Sequence, residues 1–444
     1  MDVKNVKGTH DVYLEESDAY SAIEGLMRSI AMVYSFKEIR TPVMEYTEVF
    51  SRGVGNSSDV VRKEMYTFND KADRSVTLRP EFTAGVMRAV VQNKLYATNE
   101  LPLKLFYCGP AFRYERPQLG RYRQFNQFGI ESIGNNSPYN DVECIALAYT
   151  ILQSLGLENV TIKINSLGDE ESRNNYRTAL KNYFAGHIKN MCEDCKSRFE
   201  LNPLRILDCK VPDDRPIIDN APKVNDYLTD ASRERFSKVL STLESLGIPY
   251  EIDGGLVRGL DYYSEVVFEL QYVSQKGNDY GAIGGGGHYG KLMKELGGPD
   301  LPGVGFSFGI ERLYSILNDD GLLPDLDEGL DFYVMPLEDK VQEYAQAVAF
   351  TLRSNGYVVD YCFDQVKMAN MFKRATAKKA KYAVIIGGNE MENNTVIVKD
   401  LAKQEQVVYG IDELVEKMDV IFDRLDECGC ENGGECCCGN KKGE

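Results

Sequence analysis

Phe112-Arg-Tyr-Glu-Arg-Pro-Gln-Leu-Gly-Arg-Tyr-Arg-Gln-Phe125 carries four arginines, Arg113, Arg116, Arg121 and Arg123, against a single acid, Glu115. Its local charge is +3, in a chain whose net charge is −17. The flanking runs Lys104-Leu-Phe-Tyr-Cys108 and Gln124-Phe-Asn-Gln-Phe128 read as strands, which puts the cations on a strand–loop–strand unit. A guanidinium presents a planar fork of donors to phosphate, so this unit suits a clamp for a polyphosphate or an RNA backbone. Phe125, on the returning strand, offers a ring face to a base. A solvated hairpin whose charged edges deter aggregation has the same composition, and residue chemistry alone favours neither reading.

Working outward, residues 19 to 34 set Ile23, Leu26, Met27, Ile30 and Val33 at helical spacing. From Phe36 to Phe128 strand-like runs follow one another with a single helix after Pro80, which predicts a largely antiparallel sheet. Residues 168 to 234 bring charged helices, the Cys192–Cys195 pair and a proline-dotted connection, and are expected to form an inserted helical domain. Strands resume at Tyr250, continue through Val266 to Leu270, the glycines Gly284 to Gly287 and Val304 to Phe308, and lead into a helix at Ile310. A first domain of α+β class over residues 1 to 322 is expected. From Phe332 apolar strands alternate with helices at 340 to 354 and 367 to 380, which predicts a separate α/β domain over residues 330 to 425. The cysteine-rich stretch 426 to 444 has no periodicity and reads as a mobile tail.

At 444 residues, with 43% apolar and 27% charged side chains, the chain is globular and large enough for two or three cores. Its acidic balance argues against nonspecific coating of nucleic acid. The start lacks an apolar signal core, and no run of eighteen apolar residues offers to cross a bilayer, so the cytoplasm is the expected compartment and the eleven cysteines are expected as thiols or metal ligands.

Three further segments carry chemistry. In Leu256-Val-Arg-Gly-Leu-Asp-Tyr-Tyr263 the lone Arg258 precedes Tyr262 and Tyr263; adjacent strand residues face opposite ways, so one tyrosine is expected in a pocket and the other beneath it. An ordinary buried tyrosine pair is the bland alternative. In Leu78-Arg-Pro-Glu-Phe-Thr-Ala84, Glu81 and Thr83 suit either a plain helix start or an α-ammonium group. Gly303-Val-Gly-Phe-Ser-Phe-Gly-Ile-Glu-Arg312 runs from strand to helix through glycines, with a spacing that fails the dinucleotide fingerprint. Cys192, Cys195 and Cys209 have part of a zinc spacing, without an evident fourth ligand. The helix at 367 to 381 holds Lys367, Lys373, Arg374, Lys378, Lys379 and Lys381 with no acid, which suits an RNA backbone or a solvated face.

The strand–loop–strand 112–125 resembles motif 2 of the class II aminoacyl-tRNA synthetases, Gly309-Ile-Glu-Arg-Leu313 resembles motif 3, and residues 19 to 50 with Pro42 are similar to the weaker motif 1. Within that class, residues 256–263 and 79–84 resemble a signature and an amino-acid loop of histidyl-tRNA synthetases, and residues 330 to 425 resemble the anticodon-binding domain. The resemblance implies ATP-dependent attachment of L-histidine to tRNA(His) through a histidyl-adenylate, by a cytoplasmic homodimer that uses Mg2+. It implies that Glu81 and Thr83 hold the α-amino group, Gln127 contacts histidine, and Glu131 with Tyr262 and Tyr263 surrounds the imidazole. Arg113 and Arg258 would serve the attack of the carboxylate on the α-phosphate. Glu115, Arg121, Phe125 and Arg312 would join Arg113 in holding ATP, and Arg116 with Gln118 would meet the tRNA acceptor end. Two departures stand out: His288-Tyr-Gly290 where the family commonly reads Arg-Tyr-Asp, and Ser264-Glu-Val-Val267 where it has small residues before Thr-Val. The competing reading is a non-catalytic histidine-sensing paralogue that regulates a histidine-biosynthetic enzyme, a type that typically lacks the anticodon domain and the catalytic arginine.

Overall fold

The computed structural model describes residues 3 to 417, apart from 56–57, 99, 117–119, 259, 261, 327–328 and 412. The expected tail at 426 to 444 therefore lies outside the described residues, as does Gln118. Contacts divide the chain into two compact units, 1–324 and 325–444.

In the first unit eight strands form one sheet, in the order Lys37–Glu38, Leu103–Phe112, Gln124–Ile133, Gly303–Gly309, Asp279–Tyr289, Tyr263–Val273, Val160–Ser166, Tyr250–Ile252. The six central strands pair antiparallel, and the two short outermost ones pair parallel. Because side chains alternate along a strand, each long strand divides its residues between two cores. Phe106, Phe128, Ile130, Phe268, Leu270 and Phe306 join the helices Glu15–Val33, Pro138–Ser154, Asp230–Ser245 and Ile310–Asp320 in one cluster. Leu105, Tyr107, Ile133, Tyr263, Val267 and Tyr289 face a second cluster, shared with helix Thr83–Gln92 and with residues 167 to 228. Gln127, Glu131 and Glu269 fall in register with the second set, so the polar residues of the central strands collect on that face.

Helix Glu15–Val33 opens with Glu15, Glu16 and Asp18, whose charge suits the positive end of the helix dipole. It buries Ala19, Tyr20, Ile23, Met27 and Ala31. Val33, expected on that stripe, is exposed; a stripe on a 3.6-residue period reaches Ala31, and the helix ends at Val33. A small antiparallel sheet of Met44–Tyr46, Ser75–Leu78 and Tyr66–Asn69 leaves Met44, Tyr46 and Phe68 exposed. The glycine run 284–287 is the middle of strand Asp279–Tyr289, not a loop. Position 234 falls inside helix Asp230–Ser245, whose Phe236, Val239 and Leu243 pack in the first cluster.

The second unit has five strands in the order Val359–Tyr361, Phe332–Pro336, Tyr382–Ile386, Thr395–Asp400, Gln406–Gly410. The first three are parallel and the last two antiparallel. Helix Gln342–Ser354 packs with Phe332 and Val334, and helix Met368–Ala377 packs with the alternate residues Tyr333 and Met335, which puts the two helices on opposite faces. The charge of the basic helix is less naked than its own sequence indicates. Arg374 pairs with Asp364 at 2.8 Å, Lys378 with Asp360 at 2.5 Å and Lys381 with Asp331 at 3.0 Å.

Candidate active site

A cavity of about 390 Å³ opens on the second face of the large sheet, and Glu81, Thr83, Arg113, Arg121, Phe125, Gln127, Glu131, Arg258, Tyr262, Tyr263 and Arg312 all line it. Residues up to 231 positions apart in sequence (Glu81 and Arg312) thus meet in one place. Glu115 and the exposed Arg116 lie outside that lining; Glu115 flanks it, with carboxylate oxygens 3.8 Å from Arg113 and 3.8 Å from Arg121. Arg123, the fourth arginine of the hairpin, is used structurally: its guanidinium lies 3.8 Å from the centroid of the Tyr114 ring and donates to the backbone of Glu115 and Lys7.

One end of the cavity is acidic and aromatic. In strand Gln124–Ile133, Glu131 is the one charged residue, and it is buried. Its Oε1 accepts from Thr83 Oγ1 at 2.6 Å and from Tyr107 OH at 3.3 Å, while Oε2 accepts from Tyr289 OH at 2.7 Å. Burial pushes the Glu131 carboxyl up to about 8, against the pull of these donors. Glu81 caps the helix that follows it, accepting from the backbone N–H of Thr83 at 2.6 Å and of Ala84 at 2.9 Å. Burial raises its pKa as well. Each oxygen keeps a further lone pair for a donor from the cavity. The Oε1 of Gln127 is buried with no hydrogen-bond partner, as an atom waiting for a ligand's donor would be.

Tyr262 and Tyr263 both line this end, ring centroids 4.6 Å apart. The expected split, one in and one beneath, fails because the strand begins at Tyr263 and Tyr262 belongs to the turn before it. Close approach of backbone here demands glycine. A Cβ on Gly305 would stand 2.2 Å from Glu131 Oε2, and one on Gly285 would stand 2.8 Å from Arg258 Nη1.

The other end is cationic. The Arg113 Nε donates to the Pro80 carbonyl at 2.8 Å, and its guanidinium lies 5.3 Å from the Phe125 ring centroid. Arg312, in the first turn of helix Ile310–Asp320, donates to the Ala282 carbonyl; burial lowers its pKa, and nearby Arg121 adds to the effect. Glu311 beside it turns away, accepting at 2.8 and 2.9 Å from the Asn126 N–H, and burial lifts it to about 7. Between the two ends, Arg258 Nη1 donates to Glu269 Oε1 at 2.6 Å.

Tyr107, Tyr289 and Glu269 are site residues that the sequence reading passed over. Glu269 had a signal: it is the one charge in Val266-Val-Phe-Glu-Leu270. Of the two departing segments, His288 and Glu265 make contacts away from the cavity, while Tyr289 lines it. His288 is buried on the opposite side of its strand from Tyr289, with Nδ1 3.0 Å from Asp141 Oδ1, while Glu265 accepts from Ser232 at 3.1 Å. Cys192, Cys195 and Cys209 come together apart from the cavity lining, and Asp214 joins them as a fourth potential ligand.

A family model described as histidyl-tRNA synthetase matches residues 8–313, and one described as anticodon binding domain matches residues 331–420. Histidine–tRNA ligase of Bacillus subtilis (strain 168) is 45% identical over 412 residues, spanning 93% of this chain and 97% of that protein. The enzyme of the same name from Bacillus licheniformis is 46% identical over 409 residues, spanning 92% and 96%. The crystal structure of apo Staphylococcus aureus histidyl-tRNA synthetase superposes with a TM-score of 0.80 at 38% identity, covering 94% of this chain and 99% of that one. With a cavity that joins a buried acid–tyrosine end to an arginine end, and with these matches over nearly its whole length, the chain belongs to the histidyl-tRNA synthetase family.

Proposed function

We propose that the chain activates L-histidine with ATP and transfers the histidyl group to tRNA(His). The observation that carries this reading is that one cavity is lined by the buried carboxyls Glu81 and Glu131 together with the guanidinium groups of Arg113 and Arg312. Histidine has an ammonium and an imidazole N–H to give and a carboxylate to neutralise. Glu81 accepts from the ammonium, with Thr83 beside it, and Gln127 offers its unpartnered oxygen. Glu131, Tyr262 and Tyr263 surround the ring. A pocket built on buried hydrogen-bonding groups rejects side chains that leave those groups unpaired, by about 10⁴-fold or more.

The histidine carboxylate then faces Arg113 and Arg258. Its oxygen attacks the α-phosphorus of ATP, a bond to phosphorus forms, and pyrophosphate leaves. Two anions must be brought together for that step, and fixed guanidinium groups offset their repulsion and the charge developing in the transition state. Arg312 and Arg121 hold the remaining phosphates, and Phe125 presents a face to adenine. Mg2+ would accompany the nucleotide phosphates and neutralise their charge, with Glu115 and Glu269, the carboxylates beside Arg113 and Arg258, as the side chains that would hold it. A terminal ribose hydroxyl of tRNA next attacks the acyl carbon and AMP departs; Arg116 and Gln118 would meet the acceptor end there, and residues 330 to 425 would read the anticodon. A cytoplasmic homodimer belongs to the same reading. The exposed Met44, Tyr46 and Phe68 on the small sheet support an interface at that edge.

Retention of Arg258 and of the segment matching an anticodon-binding domain favours the enzyme over a histidine-sensing regulator. Histidine-dependent ATP–pyrophosphate exchange by the purified chain tests the choice. Exchange with histidine and not with other amino acids is expected; a folded chain that exchanges with none overturns the reading.

A further inference from the structure

We propose that Cys192, Cys195, Cys209 and Asp214 form a structural zinc site that clips together the segment behind Arg258. The Sγ and carboxylate atoms of these four residues all lie within 4.8 Å of one another. Cys192 Sγ and Cys209 Sγ are 3.7 Å apart, and Cys209 Sγ is 3.3 Å from Asp214 Oδ2. A tetrahedral ion with metal–sulfur bonds of about 2.3 Å and metal–oxygen bonds of about 2.0 Å spans S···S edges of about 3.8 Å and S···O edges of about 3.5 Å. The donors thus stand close to the corners that such an ion requires.

The backbone is arranged to hold them there. Cys192 is the N-cap of helix Glu193–Leu201, and its sulfur accepts from the Cys195 N–H at 3.4 Å. Cys209 Sγ accepts from the Val211 N–H at 3.4 Å, and the Cys192 N–H donates to Asp214 at 3.2 Å, which orients the carboxylate toward the sulfurs. Cys195, Cys209 and Asp214 are all buried. Among the described residues no Lys or Arg forms an ion pair with Asp214, and a buried carboxylate with no cation is costly. A divalent ion supplies that cation. Three thiolates favour a thiophilic metal, and the carboxylate oxygen favours zinc over monovalent copper. Four protein donors leave no open position, which marks a structural site.

The four ligands bracket the turn Pro203–Asp208, and Arg205 in that turn donates to the Arg258 carbonyl at 3.0 Å. Arg198 and Arg205 both reach Asp59 Oδ2, at 2.7 and 3.4 Å. The ion would therefore fix the ends of the segment that braces the Arg258 backbone.

The test compares zinc content of the full chain, purified in reductant with zinc supplied and the excess removed, with that of a Cys192→Ser/Cys209→Ser double variant. Zinc held by the five C-terminal cysteines stays in both, so the difference belongs to this site. About one zinc per chain is expected to be lost, and cobalt-loaded protein is expected to lose thiolate-to-cobalt absorbance in the same variant. If the double variant fails to fold, Asp214→Asn serves, with all thiols kept: zinc affinity measured against a chromophoric chelator should fall at least about tenfold. Equal zinc in the wild type and a folded double variant, an unchanged affinity in Asp214→Asn, iron in place of zinc, or a Cys192–Cys209 disulfide that persists in reductant overturns the proposal.

Discussion

The phenol of Tyr289 donates to Oε2 of Glu131 at 2.7 Å, so a tyrosine at the end of one strand holds a buried carboxylate on a strand two places away in the sheet. Removing the hydroxyl leaves that oxygen short of a donor and free to rotate off the imidazole it is proposed to meet. Tyr289→Phe is expected to raise KM for histidine about 5- to 100-fold, the cost of leaving a buried acceptor without its donor. KM for ATP should stay near wild type. Steady-state exchange kinetics give both numbers, and an unchanged histidine KM would remove Tyr289 from the site.

Glu131 also ties stability to pH. Its folded pKa of about 8 lies above the ordinary 4.5, so between those values the folded chain binds a proton that the unfolded chain does not. Stability from this group is complete below pH 4.5 and is lost as pH rises through 8. Glu131→Gln keeps the shape and abolishes the titration. The variant is expected to melt about 2–4 °C above wild type at pH 9, with the gap closing toward pH 5, while histidine activation falls. A melting difference independent of pH would show that burial does not hold the proton on this carboxyl.

Arg258 and Glu269 act as one unit through their 2.6 Å ion pair. Arg258→Ala is expected to lower ATP–pyrophosphate exchange by about 10²–10³-fold, because a fixed cation at the developing charge is lost. Glu269→Ala should lower it less, by freeing the guanidinium to move. The double variant should be no worse than Arg258→Ala alone, since both changes act through one guanidinium. Additive losses would mean that Glu269 works independently of Arg258.

The hairpin, the motif 3 helix and the helix start at Glu81 were legible because each writes its chemistry locally, as charge, glycine and proline spacing. So was the change from an antiparallel to a helix-alternating pattern near residue 330. What stayed hidden depends on sheet register. Tyr107 and Tyr289 are ordinary strand tyrosines until pairing of Leu105 with Glu131, and of Tyr289 with Gly303, sets them round one carboxylate. Asp214 reads as a surface acid because it lies five residues beyond Cys209, and only the turn that folds back makes it a neighbour. The partners of the basic helix, Asp360 and Asp364, likewise sit on a strand and a loop where a helical window does not look.

Gly305 tests the floor of the cavity by sterics, with every ionisable side chain left in the sequence. A Cβ there would meet Glu131 Oε2 at 2.2 Å and the Ile130 carbonyl at 2.4 Å; the carboxylate would be pushed out of place, and the backbone carbonyl cannot move aside by a rotamer change. Gly305→Ala is expected to cost ~1–3 kcal/mol and to raise KM for histidine. Gly254→Ala, where a Cβ would meet nothing within 4 Å, is the control and should leave both near wild type. Thermal melts with exchange kinetics check the pair.

The last prediction separates the two units. On the basic helix Arg374 and Lys378 are already paired with acids, whereas Lys367 and Lys373 have no ion pair among the described residues and are left to answer an RNA backbone. A phosphate contact contributes uniformly across sequences and is screened by salt. Lys367→Glu/Lys373→Glu should therefore raise KM for tRNA about tenfold or more, with the deficit shrinking as salt rises. Histidine-dependent ATP–pyrophosphate exchange needs no tRNA and should not change. A variant that charges tRNA normally at low salt would show that this helix face is merely solvated, and a parallel loss of exchange would point to damaged folding instead.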